Sequence, residues 1–139
     1  MREQKSLATS TVLVVDDDDF FHLMMDEYLS ILGVKNVLTA NNGKDALKLL
    51  KTHAQPIDHL VCDVFMPDMD GIEFLNHLVD LKYAGGVVVV SGVDVEMLAL
   101  ARTIATANGL HLTGAFTKPI ALSQLSQALG IPTPDSSAA

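Results

Sequence analysis

Residues 87–90 are four consecutive valines, and this run restricts the fold more than any other feature of the chain. β-Branched side chains are stiff and favour extended backbone. A strand that is apolar at every position, rather than at every second one, has to be covered on both faces. Related runs recur along the chain: Thr11–Val15, Asn36–Ala40, a third at 60–62 ending at Asp63, and a fifth at 112–116. The segments between them carry helical spacing. Residues 20–32 place Phe21, Met24, Met25, Tyr28, Leu29 and Leu32 three or four apart and stop at Gly33. Asn41-Asn42-Gly43 leads into Ala46, Leu47, Leu49 and Leu50, and Asp70 with Glu73 has capping-box spacing, Asp replacing Ser, for a helix through Leu81. Asp94 is positioned to cap a helix reaching about Asn108-Gly109, and a last helix spans about 122–129 before Gly130. Five strand–helix units in strict alternation imply an α/β fold with a parallel sheet and helices on both faces.

The chain of 139 residues is long enough for one core and too short for two. Residues 1–10 are polar and aperiodic and are expected to be a flexible segment; 11–130 form the domain; 131–139 read as a tail or the start of a linker. Nine basic against 17 acidic residues leave a net charge of −8, which disfavours direct binding to nucleic acid or an anionic membrane. Wholly apolar runs reach four or five residues, against roughly 18 for a membrane span. One cysteine, Cys62, cannot form an internal disulfide, and the N-terminus carries no secretory signal, so the expected compartment is the cytoplasm.

In an open parallel sheet, ligands bind beyond the carboxyl ends of the strands. Here those ends carry Asp16-Asp17-Asp18-Asp19, Asp63, Ser91 and Lys118-Pro119. Two like charges 4 Å apart repel by about 4 kcal/mol at an effective dielectric near 20. Crowded carboxylates therefore take up protons or gather cations. Lys118 supplies one positive charge, and an oxygen-only donor set suits magnesium. A divalent ion beside a lysine is also a place that stabilises a phosphoryl group, with a carboxylate as nucleophile.

Four segments in order, each closing a predicted strand, carry a family resemblance: 14–17 (Val-Val-Asp-Asp), 61–71 (Val-Cys-Asp-Val-Phe-Met-Pro-Asp-Met-Asp-Gly), 89–92 (Val-Val-Ser-Gly) and 116–120 (Phe-Thr-Lys-Pro-Ile). Over about 11–130 the chain resembles the receiver domain of bacterial two-component response regulators. The resemblance implies a flavodoxin-like doubly wound (βα)5 fold with strand order 2-1-3-4-5. It also implies that Asp63 accepts the phosphoryl group from a histidine kinase or phosphotransfer protein, without turnover of an outside substrate. Asp17 would hold Mg2+ directly, Asp16 mostly through water, and the Phe65 carbonyl would be a further ligand. Lys118 and the Ser91 hydroxyl would engage the phosphoryl oxygens, Pro119 would hold the Lys118 loop through a cis peptide bond, and Pro67 and Gly71 would shape the loop after Asp63.

The chain also departs from the family pattern. The aromatic residue usual three positions before the lysine is Ala115, and Phe116, one place along, points to the opposite face. Signalling is therefore expected to run through the backbone after Ser91 and the fourth helix. Phe65 and Val93 flank the expected path of an attacking water and offer no general base, which predicts a slowly hydrolysing phosphoaspartate. The 27 positions from Ser91 to Lys118 make the chain similar to receivers that precede EAL-type cyclic-di-GMP phosphodiesterase domains. The fourth helix carries two apolar stripes, Leu98/Ala101/Ala105 and Met97/Leu100/Ile104, and the second is free to meet an effector domain or a second copy.

Simpler readings cover the remaining residues. Asp18 and Asp19 suit a helix N-terminus, Cys62 a buried strand, the methionines core packing, and most of the five histidines surface or loop positions. Two other functions stay open on sequence grounds: a magnesium-dependent phosphatase with an aspartyl nucleophile, and a docking module that works without phosphorylation.

Overall fold

The computed structural model describes residues 9–66, 69–92 and 95–130. The element order is β1 (Thr11–Val15), α1 (Asp19–Ile31), β2 (Asn36–Ala40), α2 (Gly43–Thr52), β3 (His59–Asp63), α3 (Gly71–Asp80), β4 (Gly86–Ser91), α4 (Val95–Ala107), β5 (His111–Thr117) and α5 (Leu122–Ala128). The five strands form one parallel sheet in the order β2-β1-β3-β4-β5. This is the expected flavodoxin-like topology; β1 and β2 keep their predicted bounds, and β3, β4 and β5 are each longer by a residue at their ends.

The sheet separates two apolar layers. One face carries Leu13, Val15, Leu60, Cys62, Val87 and Val89 against α2, α3 and α4, with Phe74, Leu75, Leu78, Leu98 and Ala101 packed on them. The other carries Val12, Val14, Val61, Val88 and Val90 against Phe21, Met25 and Leu29 of α1 and Leu125 of α5. All four valines of the 87–90 run are buried, alternately on the two faces. Each fully buried aliphatic side chain contributes about 1.5–3 kcal/mol relative to exposure, so the central strands anchor the domain.

Local chemistry fixes the helix starts. Asp18 accepts from Phe20 N–H at 3.0 Å, Asn42 from Asp45 N–H at 2.8 Å, and Asp70 from Glu73 N–H at 2.8 Å. Each satisfies an amide at a helix start that has no intrahelical partner. Asp94 and Pro67 lie outside the described residues, as do 1–8 and 131–139.

Two features depart from simple strand periodicity. The β4–β5 register slips between Val87 and Val88, so that Leu112 pairs with Val87 but Gly114 pairs with Val88. Thr113 is the extra residue, and its hydroxyl donates to the Val87 carbonyl at 3.3 Å. At the lower end of the sheet the half-buried His59 crosses Gly86, where a Cβ would lie 3.1 Å from its Nδ1. Burial lowers the His59 pKa, Asp58 opposes this, and His111 adds to it.

Two stability outcomes follow. Gly71 leaves no room for a side chain: its N–H donates to the Val64 carbonyl at 2.6 Å, and a Cβ would fall 2.7 Å from Val64 Cα. Gly71→Ala should therefore cost about 1–3 kcal/mol, read by denaturant unfolding. His59 is neutral more readily when folded than when unfolded. Its stability contribution is intact above pH 6.5 and is lost as pH falls through the lowered folded value. Melting temperature should drop between pH 7 and pH 5, and His59→Gln should flatten that drop.

Candidate functional site

The parallel register delivers the site residues to one edge. β1 ends at Val15, so Asp16 and Asp17 follow directly, while Asp63 and Ser91 are the last residues of β3 and β4. Asp63 pairs with Val90, placing Ser91 one step beyond it. Ser91 pairs with Thr117, and Lys118 N–H donates to the Ser91 carbonyl at 2.8 Å, extending the ladder one rung past the strand. The Lys118–Pro119 peptide bond is cis.

Carboxylate oxygens of Asp16, Asp17 and Asp63 all lie within 4.8 Å of one another. Asp16 and Asp63 are buried and Asp17 is exposed. Lys118 Nζ stands 2.8 Å from Asp16 Oδ2 and 3.5 Å from Asp63 Oδ2, and 4.6 Å from the centre of the Phe21 ring. The lysine is thus steered by two carboxylates and an aromatic face. Phe65 N–H donates to Asp63 Oδ1 at 3.2 Å, which orients the carboxylate, while the Phe65 side chain is 47% exposed.

The electrostatics follow from this crowding. Burial and then the charge of Asp16 push the Asp63 carboxyl above its usual range; Lys118 and the Phe65 amide oppose the shift without cancelling it. Burial works against the charge on Lys118, but its hydrogen bond to Asp16 and the charges of both aspartates outweigh it, so its pKa is raised. One ammonium does not neutralise this set. The all-oxygen donors fit a hard divalent cation, and Asp16, Asp17 and Asp63 would hold it, with the Phe65 carbonyl nearby in sequence.

Every described site residue named from the sequence comes to this rim: Asp16, Asp17, Asp63, Phe65, Ser91 and Lys118. Val93 lies outside the described residues. Cys62 is fully buried and its thiol is pushed up to about 12 by burial and by Asp63 and Asp16, so it is inert at neutral pH. Ala115 and Phe116 pack on opposite faces, as expected from strand alternation. On α4 the second stripe divides: Met97 and Ile104 pack on the core and Leu100 is exposed, as is Val95 at the helix start.

Sequence reading missed His22. The sequence gives it no role, yet it is buried in the first turn of α1 with Nε2 2.7 Å from the Asp16 carbonyl oxygen. Its place four residues after the Asp18 cap, on the face shared with Met25 and Leu29, was the available signal. Tyr28 adds a second tie to the rim, donating to the Ile120 carbonyl at 3.1 Å.

Comparison with known proteins gives a consistent result. Residues 12–130 match the family model described as response regulator receiver domain. The autoinducer 1 sensor kinase/phosphatase LuxN of Vibrio campbellii is 35% identical over 120 residues, covering 86% of this chain and 13% of LuxN. The cyclic di-GMP phosphodiesterase RocR of Pseudomonas aeruginosa is 29% identical over 85% of this chain and 30% of RocR. The chain therefore spans less than a third of the length of either relative. A response regulator structure from Colwellia psychrerythraea superposes with a TM-score of 0.72 at 31% identity, covering 90% of this chain and 95% of that one. Among the described residues, no helix is long and apolar enough to cross a membrane. A chain with this sheet, this rim and a family match over 12–130 belongs to the response regulator receiver domains, which are signalling modules rather than enzymes with an outside substrate.

Proposed function

We propose that this domain accepts a phosphoryl group on Asp63 from a phosphohistidine of a histidine kinase or phosphotransfer protein, in the cytoplasm, and changes its surface in response. The observation that carries this reading is the clustering of Asp16, Asp17 and Asp63 within 4.8 Å with Lys118 against two of them. A carboxylate oxygen of Asp63 attacks phosphorus, the P–N bond to the donor imidazole breaks, and an acyl phosphate forms. A bound Mg2+ supplies charge stabilisation to the phosphoryl oxygens. Lys118, already 3.5 Å from Asp63, would pair with the new phosphate, and the Ser91 hydroxyl, at the end of β4, would donate to another of its oxygens. The added charge shifts a pre-existing equilibrium between two surfaces rather than building a new one.

Several observations support the finer assignments. Asp18, Phe20, Phe21, Met24, Lys118 and Pro119 line a cleft beside the rim, and Phe20 is 71% exposed, an apolar ledge suited to a protein donor. At the far side of the rim a groove lined by Val95, Leu98, Arg102, Ala115 and Phe116 separates α4 from α5. With Ala115 in place of an aromatic side chain, α4 and the loop after Ser91 carry the change to an effector domain or a second copy. The relatives named sensor kinases and cyclic di-GMP phosphodiesterases fit a receiver joined to a larger output protein, with 131–139 as the start of a linker.

Beryllium fluoride with magnesium should raise the melting temperature of the wild type and leave Asp63→Asn unchanged. Equal stabilisation of both, or of neither, would point to the docking module that works without phosphorylation. Without ligand, Asp63→Asn should itself be more stable than wild type at neutral pH. The raised Asp63 pKa means that its protonated form favours the fold, and this stability is lost as pH rises through the folded value. The difference between the two proteins should vanish below about pH 4. Phosphorylated wild type should lose its phosphoryl group slowly, and Phe65→Glu, which offers a base near the carboxylate, should hasten that loss. Phe20→Ala should slow transfer from a protein donor while leaving transfer from a small phosphoramidate intact.

A further inference from the structure

Asp16 is held from four directions. Its N–H donates to the Ala40 carbonyl at 3.1 Å. Its Oδ1 accepts from Asp18 N–H at 2.9 Å and its Oδ2 from Lys118 at 2.8 Å. Its carbonyl oxygen meets His22 Nε2 at 2.7 Å. A carbonyl only accepts, so Nε2 carries the hydrogen. The other ring nitrogen, Nδ1, is buried and has no hydrogen-bond partner among the described residues. With no acceptor facing Nδ1 among the described residues, the geometry assigns the ring hydrogen to Nε2.

This placement has a cost. A buried nitrogen left without a partner loses the hydrogen bonds it would make in water. An aliphatic side chain of similar size would fill the 9%-exposed site without that penalty. The compensating feature is the bond to Asp16. The Asp16 carbonyl and the Asp17 N–H belong to one planar peptide unit. Fixing the oxygen therefore fixes the plane from which Asp17 departs. Asp17 is exposed, so packing does not set its direction.

We propose that His22 is a positioning residue for the acidic pocket: its Nε2–H locks the 16–17 peptide plane and so holds the Asp17 carboxylate toward Asp16 and Asp63. This rests on the reading of the pocket as a magnesium and phosphoryl site. Groups that orient metal ligands from behind typically alter metal affinity by 10- to 100-fold when removed.

The test compares wild type, His22→Leu and His22→Gln, each as the full chain. Leu keeps the volume and removes the donor, whereas Gln places an amide N–H near the lost Nε2. Magnesium affinity is measured by calorimetric titration, and melting temperature is recorded without metal. His22→Leu should bind magnesium about tenfold more weakly without a matching loss of melting temperature, and His22→Gln should recover most of the affinity. A long-range 1H–15N spectrum of the wild type should show His22 as the Nε2–H tautomer. Wild-type affinity in His22→Leu, no recovery in His22→Gln, or an Nδ1–H tautomer would each overturn the proposal. Should the Leu variant fail to fold, the tautomer and the Gln variant decide. Absence of magnesium binding by the wild type would bring down this proposal and the phosphoacceptor reading together. Normal stabilisation by beryllium fluoride in wild type and His22→Leu alike would sink the His22 role alone.

Discussion

Like-charge crowding above a dry parallel sheet governs the upper half of this molecule. Three carboxylates lie within 4.8 Å of one another and one ammonium stands among them. Water cannot screen the two buried members well, so burial and mutual repulsion raise the Asp63 pKa, while the surplus negative charge holds Lys118 firmly protonated. The sheet below maintains this imbalance. Strands buried on both faces are rigid, and their register does not let Asp16 and Asp63 drift apart. The arrangement is therefore a store of unfavourable electrostatics that a cation relieves.

Much of this is legible in the sequence, for identifiable reasons. Valine runs declare strands buried on both faces, and chain alternation then limits the topology. The site residues were legible because parallel strands all point their carboxyl ends the same way, so strand ends distant in sequence become neighbours. Other features were not legible. His22 looks like any residue of an amphipathic helix, because its role depends on a backbone carbonyl, which has no signature in the residue identities. The α4 stripes were ambiguous because helical spacing reports which residues share a face, not how far the core reaches around it. Met97 and Ile104 turned out to lie within that reach, and Leu100, at 45% exposure, outside it.

The fifth strand shows the limits of a two-residue period. Leu112 and Ala115 lie three apart yet pack on the same layer, because Thr113 is inserted between them. Phe116 then turns to the α5 side, where its ring lies so close over Gly114 that a Cβ there would force the ring to shift. The aromatic ring nearest the rim on this strand thus packs with the α5-side layer, and Phe116 also borders the groove beside α4. Displacing it would uncover Gly114 and remove a side chain from the layer that packs α5.

The same inserted residue has a consequence at the boundary of the sheet. β5 is an outermost strand, and an outermost strand offers unpaired amides and carbonyls to any other extended chain. A straight, flat border would invite edge-to-edge polymerisation. The kink at Thr113 breaks the regular spacing of those free groups and adds local twist. An edge broken in this way is a poorer template for another strand, at a margin where four adjacent valines lie a single strand away.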